Sequence, residues 1–272
     1  MKKQTMNPTF TVRALAALLA ASTLSAWAND DQKEQDPREF NYLQLSGGVG
    51  LSSSNDVAVR LGAGVQLPGQ ANYDQGNLWN ITLGRQFLRD EDDEKKQKRL
   101  QTGNAAGSNK DERDPMRLEL ELWHAAVTRN TISVAAETVR PQDKVKPNAL
   151  FVNAAIPIGQ SDELYASQDP KRPPEPLWRT WLGAGVGYAN LSYPSASALS
   201  GCNCLREASG NGLAYQLKLQ FERQMGDNTY LFAQLGRVWL PSVSTTQGTQ
   251  QTEYGRWGIN HLGVGVRWAF DR

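Results

Sequence analysis

The stretch "MRLELELWHAA" at residues 116–126 restricts the fold more than any other part of the chain. Met116, Leu118, Leu120 and Leu122 alternate with Arg117, Glu119, Glu121 and Trp123. Apolar residues at every second position share one face only if the backbone is extended, so the segment is a strand. The same alternation recurs from end to end. It places Leu43, Leu45, Val49 and Leu51 together, and Trp79, Ile81, Leu83 and Phe87. It groups Leu150, Val152, Ala154, Ile156 and Ile158, then Leu182, Ala184, Val186 and Tyr188. Leu213, Tyr215, Leu217, Leu219 and Phe221 follow, then Leu231, Ala233, Leu235 and Trp239. The closing "HLGVGVRWAF" sets Leu262, Val264, Val266, Trp268 and Phe270 against Gly263, Gly265 and Arg267. Eight strands result, and the fold class is all-β.

Two solvents could receive the apolar faces, a protein core or lipid. In a sandwich the opposite face would carry long solvated charges and Thr. Here it is rich in Gly, Ala, Ser and Asn, with a few charges among them, which suits the crowded interior of a narrow barrel. Aromatics stand near strand ends (Trp79, Phe87, Trp178, Tyr188, Trp239, Trp268, Phe270), as membrane-interface girdles do. Strands of ten or more residues match a tilted bilayer crossing better than the five or six usual in sandwiches. The expectation is a closed antiparallel transmembrane β-barrel of eight strands. "VAVRLGAGVQL" and "TISVAAETV" also alternate, so ten strands is the alternative. A mean hydropathy of −0.54 does not oppose this, because lumen-facing polar residues cancel lipid-facing apolar ones in any average.

The first 28 residues have the pattern of a cleaved export signal: Lys2, Lys3 and Arg13, an apolar run, then Ala26-Trp27-Ala28 before a polar stretch. Domain organisation is therefore a signal peptide (1–28), a short polar segment (29–39) and a barrel (40–272). Residues 89–114 interrupt the barrel with 15 charged residues in 26. That insert is solvated. Eight strands place it in the periplasm with both termini, and ten would place it at the cell surface. After the signal, 26 basic residues face 28 acidic ones, a balance that gives no reason to expect nucleic acid as a partner. Cys202 and Cys204 are too few and too close for a disulfide framework, and whether they are bridged stays open.

"YDQGNLWNITLGRQF", "MRLELELWH", "LWRTWLGAGVGYANLSY", "AYQLKLQFERQ" and "HLGVGVRWAF" resemble, in order, strands of small outer-membrane barrels of the opacity/OmpA-like surface-protein family. "GAGVGYA" is the most telling piece. The resemblance implies eight strands, a periplasmic C-terminus and insertion by the barrel assembly machinery, with Val264, Val266, Trp268 and Phe270 as the C-terminal assembly signal. It implies no enzymatic site and no cofactor. The chain departs from the pattern in three ways. Asp271 and Arg272 follow the terminal aromatic, the insert replaces a short turn, and no peptidoglycan-binding domain follows the barrel.

Barrel enzymes of the outer membrane nearly all use a His as general base. The two here are His124, on the lipid-facing phase, and His261, on the lumen phase; neither stands in an His-x-Ser arrangement. The expected function is thus non-enzymatic: a structural or surface-display role, including adhesion, through extracellular loops. A small channel or a lipid-active enzyme is the alternative. Arg117, Glu119, Glu121, Arg179, Lys218, Glu222 and Arg267 all take the inward phase. They read as a lumen charge network pairing across neighbouring strands, with an ion path as the other possibility. Expected partners are outer-membrane lipid, including lipopolysaccharide, and an extracellular ligand that the polar loops do not name. On the last strand, Val264→Arg is expected to be costly and Gly265→Ser milder, since its side is polar.

Overall fold

The computed structural model describes residues 38–88, 115–135, 137–167, 174–197 and 205–270. The signal peptide, most of the 29–39 segment, the 89–114 insert, Cys202, Cys204, Asp271 and Arg272 lie outside them.

Eight long strands close into a ring: β1 (Phe40–Ser52), β2 (Val65–Leu88), β3 (Pro115–Val134), β4 (Asn148–Gln160), β5 (Trp178–Tyr193), β6 (Ala208–Gln224), β7 (Thr229–Leu240) and β8 (Trp257–Phe270). Each pairs antiparallel with its sequence neighbours. The ring is sealed where β1 meets β8, from Asn41↔Phe270 to Ser52↔Ile259. Closure leaves no membrane-depth backbone edge unpaired, which the bilayer demands. The tight turn between β6 and β7 is held by Met225 and Gly226 donating to the Thr229 carbonyl at 2.9 and 3.2 Å.

The period-two faces sort as solvent requires. Leu118, Leu122, Val152, Val186, Leu217, Leu235 and Val264 are exposed on the outside, while Gln44, Thr82, Glu119, Gln216 and Arg267 are buried inside. Trp79, Tyr188, Tyr215 and Trp239 ring the outer face at one level, and Trp178, Trp268 and Phe270 ring it at the other. From Trp79 to Phe87 along β2 is about 20 Å of height at 3.3 Å per residue and a 40° tilt, close to the apolar band of such barrels.

Above the upper aromatic ring the alternation persists but its polarity reverses. On β2, Asn72 and Asp74 face out while Ala71 is buried; on β3, Val127 and Ile132 are buried. The reason is a change of solvent: water replaces lipid outside, so apolar residues turn inward. Shorter strands complete this upper storey. Asn55–Leu61 pairs with β2 and with Gln250–Tyr254, which pairs in turn with Val243–Gln247. Glu137–Val139 and Asp143–Val145 pair with β3. "VAVRLGAGVQL" and "TISVAAETV" belong to this storey and are not extra staves. With eight staves, the insert's flanks, Leu88 and Pro115, pair with each other at the end that holds the barrel's first and last residues, Phe40 and Phe270.

One expectation fails. A Cβ at Gly265 would stand 2.2 Å from the Leu45 carbonyl oxygen and 2.4 Å from the Phe232 ring. The lumen side is polar in sequence but has no room there, so Gly265→Ser is disruptive. Gly84 likewise yields its space to the Tyr42 ring, 2.3 Å from where a Cβ would lie.

Candidate functional site

The inward phase of β3 delivers Arg117, Glu119 and Glu121 to the lumen in succession, and β6 delivers Lys218 and Glu222. β3 and β6 are not neighbours in the ring, so these side chains meet across the interior. Arg117 donates two hydrogen bonds to the Glu222 carboxylate at 3.0 and 2.9 Å, a fork geometry that fixes both groups. Arg267, from β8, donates to the same carboxylate at 2.5 Å. Lys218 bridges Glu119 at 2.5 Å and Glu121 at 2.9 Å. Pairing across the lumen, not between neighbouring strands, corrects the expectation drawn from the sequence. Period two fixes which way a side chain points and says nothing of its position around the ring.

Uncharged groups satisfy much of the rest. Tyr42 donates to Glu119 at 2.7 Å, and Asn80 and Asn153 donate to Glu121 at 2.9 and 2.7 Å. Ser46 links Asn80 and Gln234 at 2.5 and 3.1 Å. Arg117 lies 3.5 Å from the Trp181 ring centre and Arg267 3.9 Å from that of Tyr230. Arg179 faces the lumen opposite Glu222 in the β5–β6 register, yet its Nε has no hydrogen-bond partner; it does not join the network by that atom. Six of the seven predicted charges therefore form two triads, Arg117–Glu222–Arg267 and Glu119–Lys218–Glu121, and Arg179 stands beside the first. Tyr42 lies between the triads: its hydroxyl donates to Glu119, and its ring lies 5.4 Å from Arg117 and 5.0 Å from Arg267.

A second cluster closes the far end of the lumen. Arg129 is fully buried and gathers three loops. It binds Asp143 through two nitrogens, one at 2.9 Å, donates to the Tyr254 hydroxyl at 3.0 Å and to the Pro194 carbonyl at 2.7 Å. Tyr193 and Tyr254 stack with centroids 4.0 Å apart, and Tyr73 stacks on Trp257 at 4.4 Å. Burial disfavours the Arg129 charge, but the hydrogen bond to Asp143 and the nearby phenols outweigh it and hold the group above its ordinary value. Burial also raises the Tyr193 and Tyr254 phenols. Sequence reasoning passed over Arg129, although stepping by two from Arg117 through Trp123 and Val127 reaches it on the inward phase. Replacing Arg129 with Ala is expected to cost about 3 kcal/mol, because Asp143 loses its partner. Trypsin should then cut faster at Lys144 or Arg206 while the folded barrel persists, and unchanged cleavage would remove Arg129 as the clasp.

The histidines have separate settings. His124 stands on the outer face, 2.7 Å from Asn148 Oδ1 and 5.3 Å from the Trp79 ring centre. His261 is buried in the lumen against Gly236, and neither ring nitrogen has a hydrogen-bond partner. Neither imidazole is bonded to a carboxylate or a hydroxyl. Among the described residues no group of three His, Cys, Asp or Glu side chains is placed to hold a metal ion.

Neither a known protein family nor a curated protein sequence matches the chain. Solved structures share its shape loosely. Neisserial surface protein A is 13% identical, with 85% of this chain and 97% of that one covered and a TM-score of 0.42. The outer membrane protein OprG of Pseudomonas aeruginosa is 11% identical, with 86% and 98% covered and a TM-score of 0.45. The outer membrane protease OmpT of Escherichia coli is 6% identical, with 88% and 99% covered and a TM-score of 0.36.

Proposed function

We propose that the chain is exported through a cleaved signal ending at Ala28 and resides in a Gram-negative outer membrane as a plugged, non-enzymatic barrel that displays its far end at the cell surface. The observation that carries this is double occlusion of the lumen. A cross-lumen charge network fills it at membrane depth, and an apolar core keyed by Arg129 fills it above. Eight strands leave an interior that these side chains can fill, which supports a closed lumen over an ion path or a substrate cleft. What remains available to partners is the outside of the upper storey and its loops, which can vary without disturbing the barrel. Insertion through the barrel assembly machinery follows from the resemblance of the last strand, with Phe270 as the terminal aromatic.

Conductance in planar bilayers and turnover of lipid A and phospholipid test the proposal together. Closed membranes with no hydrolysis are expected. Large steady single-channel currents would favour a channel, and hydrolysis lost on replacing His261 would favour a lipid enzyme.

A further inference from the structure

The outer face carries a polar row that the plugged-barrel account does not use. Asn148 on β4, Asn190 on β5 and Asn211 on β6 are direct register partners in sequence around the ring, and His124 on β3 is the partner of Asn148. All three amides are exposed and point the same way as the lipid-facing side chains. The row immediately below is apolar: Leu122, Leu150, Tyr188 and Leu213. Two of the amides are held in place. His124 Nδ1 lies 2.7 Å from Asn148 Oδ1, and the Tyr188 hydroxyl donates to Asn211 Oδ1 at 2.6 Å. Above the β3–β4 half stand two exposed cations, Lys146 and Lys144, whereas exposed Glu207 stands above the β6 end.

From the membrane outward the sector therefore runs apolar, then neutral amide, then cationic on one side. We infer that this sector binds a phosphorylated, multiply acylated amino-sugar lipid of the outer leaflet, an inference that rests on the membrane reading above. Such a lipid presents its chemistry in the same order: acyl chains, then amide and ester groups on the sugar, then phosphate. Asparagine amides donate to and accept from acyl amides and esters, and ammonium groups meet phosphate. Four adjacent strands at 4.8 Å spacing give a row about 14 Å long, set oblique to the membrane plane by the ~40° strand tilt. That width suits several acyl linkages side by side, where a glycerophospholipid offers two. Glu207 disfavours phosphate at the β6 end, which favours the Lys144–Lys146 side.

The test incorporates the full-length protein into mixed micelles holding equal amounts of lipopolysaccharide and phosphatidylglycerol. Lipid retained after detergent exchange is counted by native mass spectrometry, with heat-modifiable migration reporting the folded barrel. Wild type should retain lipopolysaccharide in preference. Asn148→Leu/Asn190→Leu/Asn211→Leu should reduce that preference about tenfold, the loss expected for one to two net hydrogen bonds. Lys144→Ala/Lys146→Ala should weaken retention and remove its salt dependence. If the triple variant does not fold, Asn190→Asp, of equal size but anionic, should reduce the preference. Equal retention of the two lipids by wild type, or an unchanged preference in the folded variants, overturns the inference and leaves the barrel standing. A wild-type protein that enters neither lipid overturns the membrane reading, and this inference with it.

Discussion

Arginine in place of Val264 is expected to destabilise the folded barrel by about 2–4 kcal/mol, the cost of a cation at the hydrocarbon midplane. Val264 is 64% exposed, the highest value among the large apolar side chains of the described residues, and lies between the upper and lower aromatic rings on the outer face of β8. Water at that position would make the change nearly neutral, so the size of the effect reports the solvent. The neighbouring Gly265→Ser should also destabilise, but for a different reason: its Cβ would meet the Leu45 carbonyl and the Phe232 ring. Urea titration of the protein in lipid vesicles separates the two. Moving the serine's obstacle with Phe232→Ala should relieve part of the Gly265→Ser cost, and no second change inside the lumen should relieve Val264→Arg.

Loss of Glu222 should be as damaging from the inside. The carboxylate neutralises Arg117 and Arg267 together, and all three side chains are nearly or wholly buried. Glu222→Ala leaves two guanidinium groups facing each other without a counter-charge, at a cost of about 3–5 kcal/mol. Removing all three charges at once, with Arg117→Met, Glu222→Leu and Arg267→Met, should be far milder than the single change, because no fully buried guanidinium of the triad is left stranded. Equilibrium unfolding of the three proteins checks this. A triple variant weaker than Glu222→Ala would mean that the network contributes net stability beyond mutual compensation. A Glu222→Ala barrel as stable as wild type would mean that the guanidiniums are hydrated, which an open lumen would allow.

The staves were legible because lipid and a packed lumen impose opposite demands on successive residues, and "MRLELELWHAA" obeys both. The storey above the membrane was harder. Asn55–Leu61 alternates as regularly as any stave, but its Val57 and Val59 are buried inward while Arg60 faces water and pairs with Glu253 at 3.3 Å. Period two is the same in both solvents, and only the register against β2 shows which phase is outside. The charge network was legible as a set of inward residues and not as a set of pairs. Partners such as Arg117 and Glu222 are brought together by closure of the ring, which no local pattern encodes. Arg129 was missed because the inward residues that separate it from Glu121, namely Trp123, Ala125 and Val127, are apolar, although its phase matches Arg117. The amide row, too, exists only through the β3-β4-β5-β6 register.

A cysteine scan of residues 262–270 with a lipid-soluble thiol reagent tests the central claim most directly, that the apolar faces meet lipid around a filled lumen. Labelling in membranes is predicted at 262, 264, 266, 268 and 270, with 263, 267 and 269 protected and Gly265 left unsubstituted, since a Cβ there would meet the Leu45 carbonyl. Labelling of the odd positions, or reaction without a period of two, would contradict the barrel.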